Sequence, residues 1–226
     1  MAEAEKVHVF NNVPLLLFYT HCYTGKEAHM RKFFLILLFL FPFQVFAENN
    51  ENIWDWNKAN LEVNRLSPEI FNILPKKIQN YLKSNNYLIP QTYDEKKPHN
   101  VISGQFIKEG QKDWAVLASK NFSSSILIFL NSNTGKENII EILPEKDINY
   151  LQVIGENKIG FSRRILSVNK DKLAMDENDL SYYHQEYGDE NPPPVTHDGI
   201  CDSFVDKGSV IYYYYNGKWL RWFVSD

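Results

Sequence analysis

Short segments that alternate between apolar and polar residues recur in the chain from Val101 onward, and this pattern constrains the fold more than any other feature. The clearest pair is 209–215 and 218–224, separated by Asn216-Gly217. Asn-Gly favours a two-residue type I′ turn because both turn residues must adopt positive φ. The pattern predicts a twisted antiparallel β-meander that ends in a C-terminal hairpin. The earlier predicted strands span residues 102–106, 114–119, 124–131, 137–143, 150–154 and 158–168.

Helical spacing precedes the strands. Ser67 is positioned as an N-cap, with Pro68 at the first helical position behind it. Apolar residues then recur at the spacing of one helix face, but Pro75 would cost about 3 kcal/mol inside a helix. The sequence therefore predicts two short N-terminal helices, 68–74 and 76–85, packed on the antiparallel sheet in an α+β fold.

An export signal lies ahead of this domain, at residues 30–47. Arg31 and Lys32 form a basic start, an unbroken apolar run follows at 33–41, and a cleavage site ends at Ala47. The apolar run is shorter than the roughly 20 residues that span a bilayer, although a transmembrane anchor is the alternative. We expect cleavage after Ala47, an exported protein in the periplasm or outside the cell, and no stable membrane anchor afterwards.

Residues 1–29 do not fit the pattern of a signal peptide. They place a mixed segment, which includes Cys22, ahead of a normal-looking basic start. A start codon assigned too far upstream explains this, with Met30 as the initiator, and an unusually long basic region is the alternative. No cysteine follows the cleavage site directly, so the sequence does not favour a lipoprotein.

The mature chain that this cleavage leaves has 179 residues, enough for one domain with a sizeable core. Residues 48–60 are polar and rich in Asn, and we interpret them as a tether to a single α+β domain at 61–226. The full chain has a net charge of −4, and residues 1–47 hold four basic and three acidic side chains, so the mature chain is at −5. We expect no nucleic-acid partner without a basic excess. Cys201 is the only mature cysteine, so no intramolecular disulfide can form.

A family resemblance covers residues 103–131. They begin Ser-Gly-Gln-Phe, turn between Gly110 and Asp113, and continue as Trp-Ala-Val-Leu and then Ile-Leu-Ile-Phe-Leu-Asn. This order resembles one blade of an FG-GAP/VCBS-type repeat, a family whose repeats build β-propellers in extracellular binding and adhesion proteins. The calcium loop of those repeats is missing, because the turn carries Lys108 and Lys112 where alternating Asp and Asn would stand. The resemblance implies a binding-type blade without calcium, and one blade is too few for a propeller.

Three further stretches carry a second resemblance. They are Leu74-Pro75 with 89–91, Gly104-Gln105-Phe106 with 113–117, and 197–200 ahead of the terminal hairpin. In these stretches the chain is similar to a loose group of uncharacterised exported bacterial proteins. The resemblance implies a common fold and export, and it implies no activity.

The acidic segment 176–206 is the most distinctive region of the mature chain. It holds nine acidic side chains and neither Lys nor Arg. Several carboxylates suit a hard cation, or an acidic surface for a basic partner, but the spacing of a calcium loop is absent. A solvated surface loop is the alternative interpretation.

Titratable groups are crowded at the end of this segment. A thiol nucleophile needs a base and an orienting group, so His197, Cys201 and Asp198 are the candidates for catalysis. Zinc would need several ligands, and the candidates are His184, His197 and Asp202. Against both hypotheses, Asp198-Gly199 is typical of a turn, and a lone Cys beside a strand is usually a small buried hydrophobe. We therefore predict neither a catalytic set nor a metal or other cofactor.

Binding is the function that the sequence favours. The candidate ligand-binding residues are the carboxylates of the acidic segment and nearby aromatic side chains that could contact a protein or glycan partner. Phosphate-binding loops, Gly-x-Ser-x-Gly elbows and His-Glu-x-x-His motifs are absent from the sequence. The hypothesis is an exported non-catalytic binding domain, and the alternative is a hydrolase or metal-dependent enzyme built on His197, Cys201 and the carboxylates. The ligand-binding candidates are Asp198, Asp202, Tyr183, Trp219 and Trp222.

Overall fold

A computed structural model describes residues 54–175 and 194–224, and within them the chain forms three helices and twelve strands. The α+β class predicted from the sequence is confirmed. The helices are α1 (Trp56–Glu62), α2 (Lys76–Ser84) and α3 (Lys170–Met175). The strands are β1 (Arg65–Leu66), β2 (Ile89–Pro90), β3 (Val101–Gly104), β4 (Asp113–Lys120), β5 (Ser123–Phe129), β6 (Ile139–Lys146), β7 (Leu151–Gly155), β8 (Lys158–Phe161), β9 (Arg163–Val168), β10 (Gly199–Phe204), β11 (Gly208–Tyr215) and β12 (Lys218–Val224).

Several sequence-based predictions lie outside the described residues. These are the upstream segment 1–29, the signal peptide 30–47 and most of the acidic segment, at 176–193. Tyr183 and His184 belong to the last of these ranges. No helix in the part of the chain that the structure describes is long and apolar enough to cross a membrane.

Two four-stranded antiparallel sheets dominate the fold, and in both of them the strands follow chain order. The first sheet is β3-β4-β5-β6, and the second sheet is β9-β10-β11-β12. Two short ribbons, β1-β2 and β7-β8, complete the strand pairing. In the second sheet Asn216 (φ 48°) and Gly217 (φ 82°) connect β11 to β12, with Tyr215 opposite Lys218.

The buried apolar side chains form three clusters. On β4, Trp114 and Val116 face a cluster that includes residues of α2, whereas Ala115 and Leu117 face a second cluster between the two sheets. Burial on both faces explains why β4 is an almost unbroken apolar run rather than an alternating one. A third cluster lies on the outer face of the second sheet.

The N-terminal helical region is shorter than its sequence pattern predicts. Within the predicted helix 68–74 only Pro68–Ile70 is helical, as a single 3₁₀ turn, and the Ser67 side chain makes no capping bond to a backbone N–H. The chain instead folds back under α2. The amide of Gln79 is buried there, and its Nε2 donates to the carbonyls of Phe71 at 2.9 Å and Leu74 at 2.8 Å. These bonds satisfy a non-helical backbone that would otherwise be buried without partners.

Two other parts of the sequence-based prediction need correction. Helix α1 begins at Trp56, capped by Asp55 Oδ1, which accepts the Lys58 N–H at 2.9 Å, so the last part of the predicted tether 48–60 is helical. Strand β10 and helix α3 were not predicted. Strand β10 does not show a clear alternation of apolar and polar residues, because Asp202 occupies an inward-facing position where an apolar residue is expected.

The side chain of Asn100 joins the two sheets. Its Oδ1 accepts the N–H of Ile165 at 2.9 Å, and its Nδ2 donates to the carbonyls of Pro90 at 2.7 Å and Arg163 at 3.3 Å. The Asn100 side-chain amide thereby makes the hydrogen bonds to the edge of β9 that the backbone of a neighbouring strand would otherwise make. Asn100 adopts φ 70°, a left-handed conformation that Asn tolerates better than most residues.

The first sheet contains a second two-residue turn between paired strands. Asn121 (φ 52°) and Phe122 (φ 61°) connect β4 to β5, with Lys120 opposite Ser123. The geometry matches that of the Asn216-Gly217 turn, except that a bulky residue stands where glycine is preferred. A non-glycine residue in this region costs roughly 1–2 kcal/mol.

Candidate functional site

The predicted ligand-binding residue Asp198 lies on the wall of an open pocket of about 290 Å³. The loop after β3 and the approach to β4 form the facing wall. The lining residues are Ser103, Gly104, Gln105, Gly110, Lys112 and Asp198. We call this the Asp198 pocket.

Backbone hydrogen bonds hold the Asp198 carboxylate in place. Its Oδ2 accepts the N–H of Gln105 at 2.9 Å, and its Oδ1 accepts the N–H of Lys170 at 3.2 Å. The Asp198 N–H in turn donates to the Gln105 carbonyl at 3.0 Å. A carboxylate has about four lone-pair sites, so these two bonds leave acceptor capacity for a ligand.

Two glycines shape the opposite wall. A Cβ on Gly104 would lie 2.7 Å from Cε1 of Phe106 and 2.9 Å from Oδ2 of Asp198, so no larger residue fits there without a shift. Gly110 adopts φ 78°, and its N–H donates to Oε1 of Gln105. The Gly104-Gln105 and His197-Asp198 stretches therefore meet at one place in the fold.

The pocket carries both signs of charge. Lys112 is exposed, and its Nζ lies 5.4 Å from the centre of the Trp114 ring. Nearby, Lys170 pairs with Glu109 at 2.7 Å, and the hydrogen bond and charge of Glu109 raise the pKa of Lys170 above its usual value. An ammonium donor and a carboxylate acceptor on different walls suit a polar ligand with both donors and acceptors.

His197 does not face the Asp198 pocket as a free base. Its ring is buried and stacks on Tyr213, with ring centres 4.3 Å apart. Nδ1 lies 3.0 Å from the carbonyl oxygen of Asp198, and Nε2 lies 2.9 Å from that of Tyr214. Both ring nitrogens therefore lie against backbone carbonyls, and the one that carries the proton donates a hydrogen bond that holds the approach to β10 against β11.

Cys201 lies in the third cluster, on the outer face of the second sheet. It is 8% exposed and packs among apolar residues that include Leu173 and Ile211. Burial raises the pKa of the thiol above its usual value, which disfavours the thiolate that a nucleophile requires. The geometry does not bring Cys201 and the nitrogens of His197 together as a nucleophile and base.

Asp202 is also engaged within the fold, on the inner face of the second sheet. Its oxygens accept from Nε of Arg163 at 3.0 and 3.2 Å and from Nη2 at 2.9 Å. Burial opposes the charge of Arg163, but the charge and hydrogen bonds of Asp202 outweigh it and raise the pKa of the guanidinium. Asp202 therefore pairs neighbouring strands of the second sheet, β9 and β10, and does not line the Asp198 pocket.

The two candidate tryptophans lie on opposite faces of β12. Trp222 is 2% exposed in the third cluster and stacks on Tyr213, with ring centres 5.2 Å apart. Trp219 packs at the margin of the cluster between the sheets and meets Tyr214 edge to face at 5.3 Å. Their contacts are those of packing residues.

Comparisons with known proteins identify no family for the chain. No family model matches it, and neither curated proteins nor solved structures give a match. Within residues 54–175 and 194–224, no group of three or more His, Cys, Asp or Glu side chains is placed to hold a metal ion.

The sequence-based reasoning missed most of the pocket wall. Gly104, Gln105 and Lys112 were noted in a repeat-like segment, but nothing in that segment connects it with Asp198. The available signal was the pair of glycines, because a glycine next to a strand end often marks a close approach of another chain segment.

Proposed function

We propose that this protein is an exported, non-catalytic binding domain that takes a polar ligand in the Asp198 pocket. The supporting observation is how the polar groups are divided between surface and interior. Asp198 and Lys112 border an open pocket, whereas His197, Cys201 and Asp202 are engaged in internal contacts.

The chemistry of the pocket favours a ligand rich in hydrogen-bonding groups. Asp198 supplies an acceptor, Lys112 supplies a charged donor, and Ser103 and Gln105 supply neutral groups. A glycan or an exposed peptide of a partner protein offers matching hydroxyls, amides and carbonyls. The turn at 107–113 belongs to the segment that resembles an FG-GAP/VCBS-type blade, and a binding role fits that resemblance.

Export is part of the same proposal, and it is supported by residues 30–47. N-terminal sequencing of the protein recovered from outside the cytoplasm would test it. We expect a mature terminus at Glu48, and a terminus upstream of residue 40 would contradict cleavage.

A direct binding experiment tests the pocket. Glycan and peptide arrays would be probed with the purified protein, with Lys112→Ala, and with Lys77→Ala as a matched control for an exposed lysine on α2. We expect a bound class of ligand whose affinity falls at least tenfold in Lys112→Ala and stays unchanged in Lys77→Ala. Equal binding by all three proteins, or turnover of the bound compound, would contradict the proposal.

A further inference from the structure

Two histidines lie in the described part of the chain, and their ring nitrogens have opposite surroundings. Nε2 of His99 accepts the N–H of Thr92 at 2.9 Å, while its Nδ1 lies 2.9 Å from the carbonyl oxygen of Lys97. A neutral imidazole has one donor and one acceptor nitrogen, so both of these contacts are satisfied without a charge. The ring of His197 differs, because a carbonyl oxygen faces each of its nitrogens.

A neutral His197 ring cannot satisfy both of these carbonyls. With its proton on Nδ1, the ring donates to Asp198 and directs the lone pair of Nε2 at the Tyr214 oxygen, 2.9 Å away. The other tautomer reverses this arrangement. An imidazolium ring carries a proton on each nitrogen and donates to both carbonyls. The contacts of His197 are therefore complete only in the charged form.

Burial opposes a charge on His197, and three features of its surroundings favour one. The residue is 4% exposed, so desolvation disfavours the imidazolium. The ring stacks on Tyr213 with ring centres 4.3 Å apart, and the face of an aromatic ring attracts a cation. A charged donor also strengthens both hydrogen bonds, and the next residue, Asp198, carries a carboxylate. The site therefore suits a ring that takes up a second proton within roughly pH 5–8, where histidine usually changes its charge.

Charged groups from two other segments lie near Asp198. Lys170, at the start of α3, donates its N–H to Asp198 Oδ1, and its ammonium group pairs with Glu109 at 2.7 Å. Lys112 stands on the facing wall of the pocket, and the phenol Tyr213 faces the histidine ring from β11. Carboxylates, ammonium groups and phenols ordinarily keep their charge between about pH 5 and 8. A response of this region to pH within that range therefore reports on the imidazole.

The ring of His197 is joined to the Asp198 pocket through the backbone of Asp198. The N–H of Asp198 donates to the Gln105 carbonyl at 3.0 Å, and its carboxylate accepts the N–H groups of Gln105 and Lys170. The Asp198 carbonyl is the group that faces Nδ1 of His197. Whether this carbonyl is hydrogen-bonded therefore affects how firmly the carboxylate is held on the pocket wall.

We propose that His197 is a proton-dependent positioning residue of the Asp198 pocket. With both nitrogens protonated, the ring bridges the carbonyls of Asp198 and Tyr214 and so ties the pocket wall to β11. When the pH rises to about 8 the ring loses one proton, and one of the two hydrogen bonds is lost with it. The pocket is then held less firmly and binds its ligand more weakly. The effect on the ligand rests on the proposed binding role of the pocket, whereas the proton-dependent contacts exist without a ligand.

Nuclear magnetic resonance of the purified protein tests the positioning role without a ligand. Nitrogen-15 spectra of the His197 ring distinguish one bound proton from two, and we expect one at about pH 8 and two at about pH 5.5. With the second proton, the amides of Gln105 and Lys170 that bond Asp198 should exchange with solvent about fivefold more slowly, relative to their intrinsic rates. A ring that keeps a single proton at the lower pH, or amide exchange that does not follow the protonation of the ring, would overturn the proposal.

Two variants separate the proton from the packing of the ring. His197→Asn keeps an amide donor near the position of Nδ1 and cannot be charged, so its Gln105 and Lys170 amides should exchange at the same corrected rate at both pH values. His99→Gln keeps an acceptor for the Thr92 N–H, and it should retain the pH response of the unaltered protein. A response that persists in His197→Asn, or disappears in His99→Gln, would contradict the role of His197.

The glycan and peptide arrays, probed at the same two pH values, add a readout of binding. We expect the unaltered protein to bind about fivefold more tightly at the lower pH, and His197→Asn to bind equally at both. Binding that ignores pH would contradict the coupling between His197 and the ligand. An absence of array binding at both pH values, with the magnetic resonance response intact, would contradict the binding role of the pocket and still support the proton-dependent positioning of Asp198.

Discussion

Two buried arginine–aspartate pairs stabilise this fold in different ways. In the pair between the sheets, both oxygens of Asp202 accept hydrogen bonds from Arg163. In the other, Oδ2 of Asp147 accepts from Nε of Arg65 at 3.1 Å, from Nη2 at 2.7 Å and from the Ser119 hydroxyl at 2.6 Å. Oδ1 of Asp147 is buried without a hydrogen-bond partner among the described residues.

The difference shows that burial alone does not define the role of an ion pair. Arg163 also donates to the carbonyls of Ser124 at 3.2 Å and Leu143 at 3.3 Å, so one guanidinium connects strands of both sheets. The Leu143 carbonyl is in reach because Leu143 adopts φ 55° beside an irregularity between β5 and β6. Arg65 connects the start of the domain to a single carboxylate and to Asn60. Replacing Arg163 should therefore destabilise the protein more than replacing Arg65.

The largest expected effect is that of Arg163→Met. Removing the guanidinium leaves a buried carboxylate without its donor and takes one donor from each of two carbonyls, and breaking a buried pair in this way typically costs about 3–5 kcal/mol. We expect a loss near 4 kcal/mol, measured by urea unfolding. Arg163→Met/Asp202→Leu should recover most of the loss because no charge remains buried. A single-variant loss below about 1 kcal/mol would remove the distinction between the two pairs.

Arg65→Met should cost less, about 2–3 kcal/mol. The Ser119 hydroxyl continues to donate to Asp147 Oδ2, and the Asn60 groups that Arg65 releases are only partly buried. The same urea titration provides the comparison. A loss equal to or greater than that of Arg163→Met would reverse the ranking of the two pairs.

The pair between the sheets also predicts a response to alkali. Burial raises the pKa of Tyr212 to about 12, and the charge of Asp202 adds to the effect. Because the folded pKa lies above the unfolded value near 10, this contribution to stability is complete below pH 10 and disappears as the pH rises to about 12. Between those pH values the free energy of unfolding of the protein should fall by on the order of 2 kcal/mol more than that of Tyr212→Phe. Parallel stability curves from pH 9 upwards for the two proteins would contradict this.

The smallest expected effect is a difference in stability between two variants, each of which removes the hydroxyl of a serine beside one of the pairs. Ser119→Ala removes a 2.6 Å donor from a charged acceptor and should cost about 1–2 kcal/mol. Ser124→Ala removes only a hydroxyl 3.4 Å from Arg163 Nη1, while the Ser124 carbonyl remains, and should change stability by less than about 0.5 kcal/mol. Thermal unfolding of the two variants side by side decides the matter, and equal losses would mean that Asp147 does not depend on Ser119.

The α+β class was predictable because turn residues and apolar alternation are local signals. Strand β10 was not, because the charge of Asp202 at an inward position is compensated only by Arg163, 39 residues earlier. The predicted helix 68–74 is shortened to a 3₁₀ turn at Pro68–Ile70 for a similar reason. Its backbone is satisfied by the amide of Gln79, and a side-chain contact of that kind leaves no periodic pattern.

The sequence predicted one residue of the candidate site, Asp198, but it did not predict the pocket that this residue lines. Asp198 stood out as a carboxylate beside a glycine, but its contact with Gln105 joins positions 93 residues apart. Cys201 and His197 were noted for their chemistry, and the structure buries both within the fold.

The chain-order arrangement of strands has a consequence for how the molecule assembles. Each four-stranded sheet is built mainly from contacts between neighbours in sequence, which form quickly. The bonds between Asn100 and Ile165 and between Gln105 and Asp198 close loops of 65 and 93 residues, and their loop-closure entropy makes them late events. We therefore expect the folding chain to form its sheets first. The Asp198 pocket, which we propose as the binding site, is complete only when the sheets have docked.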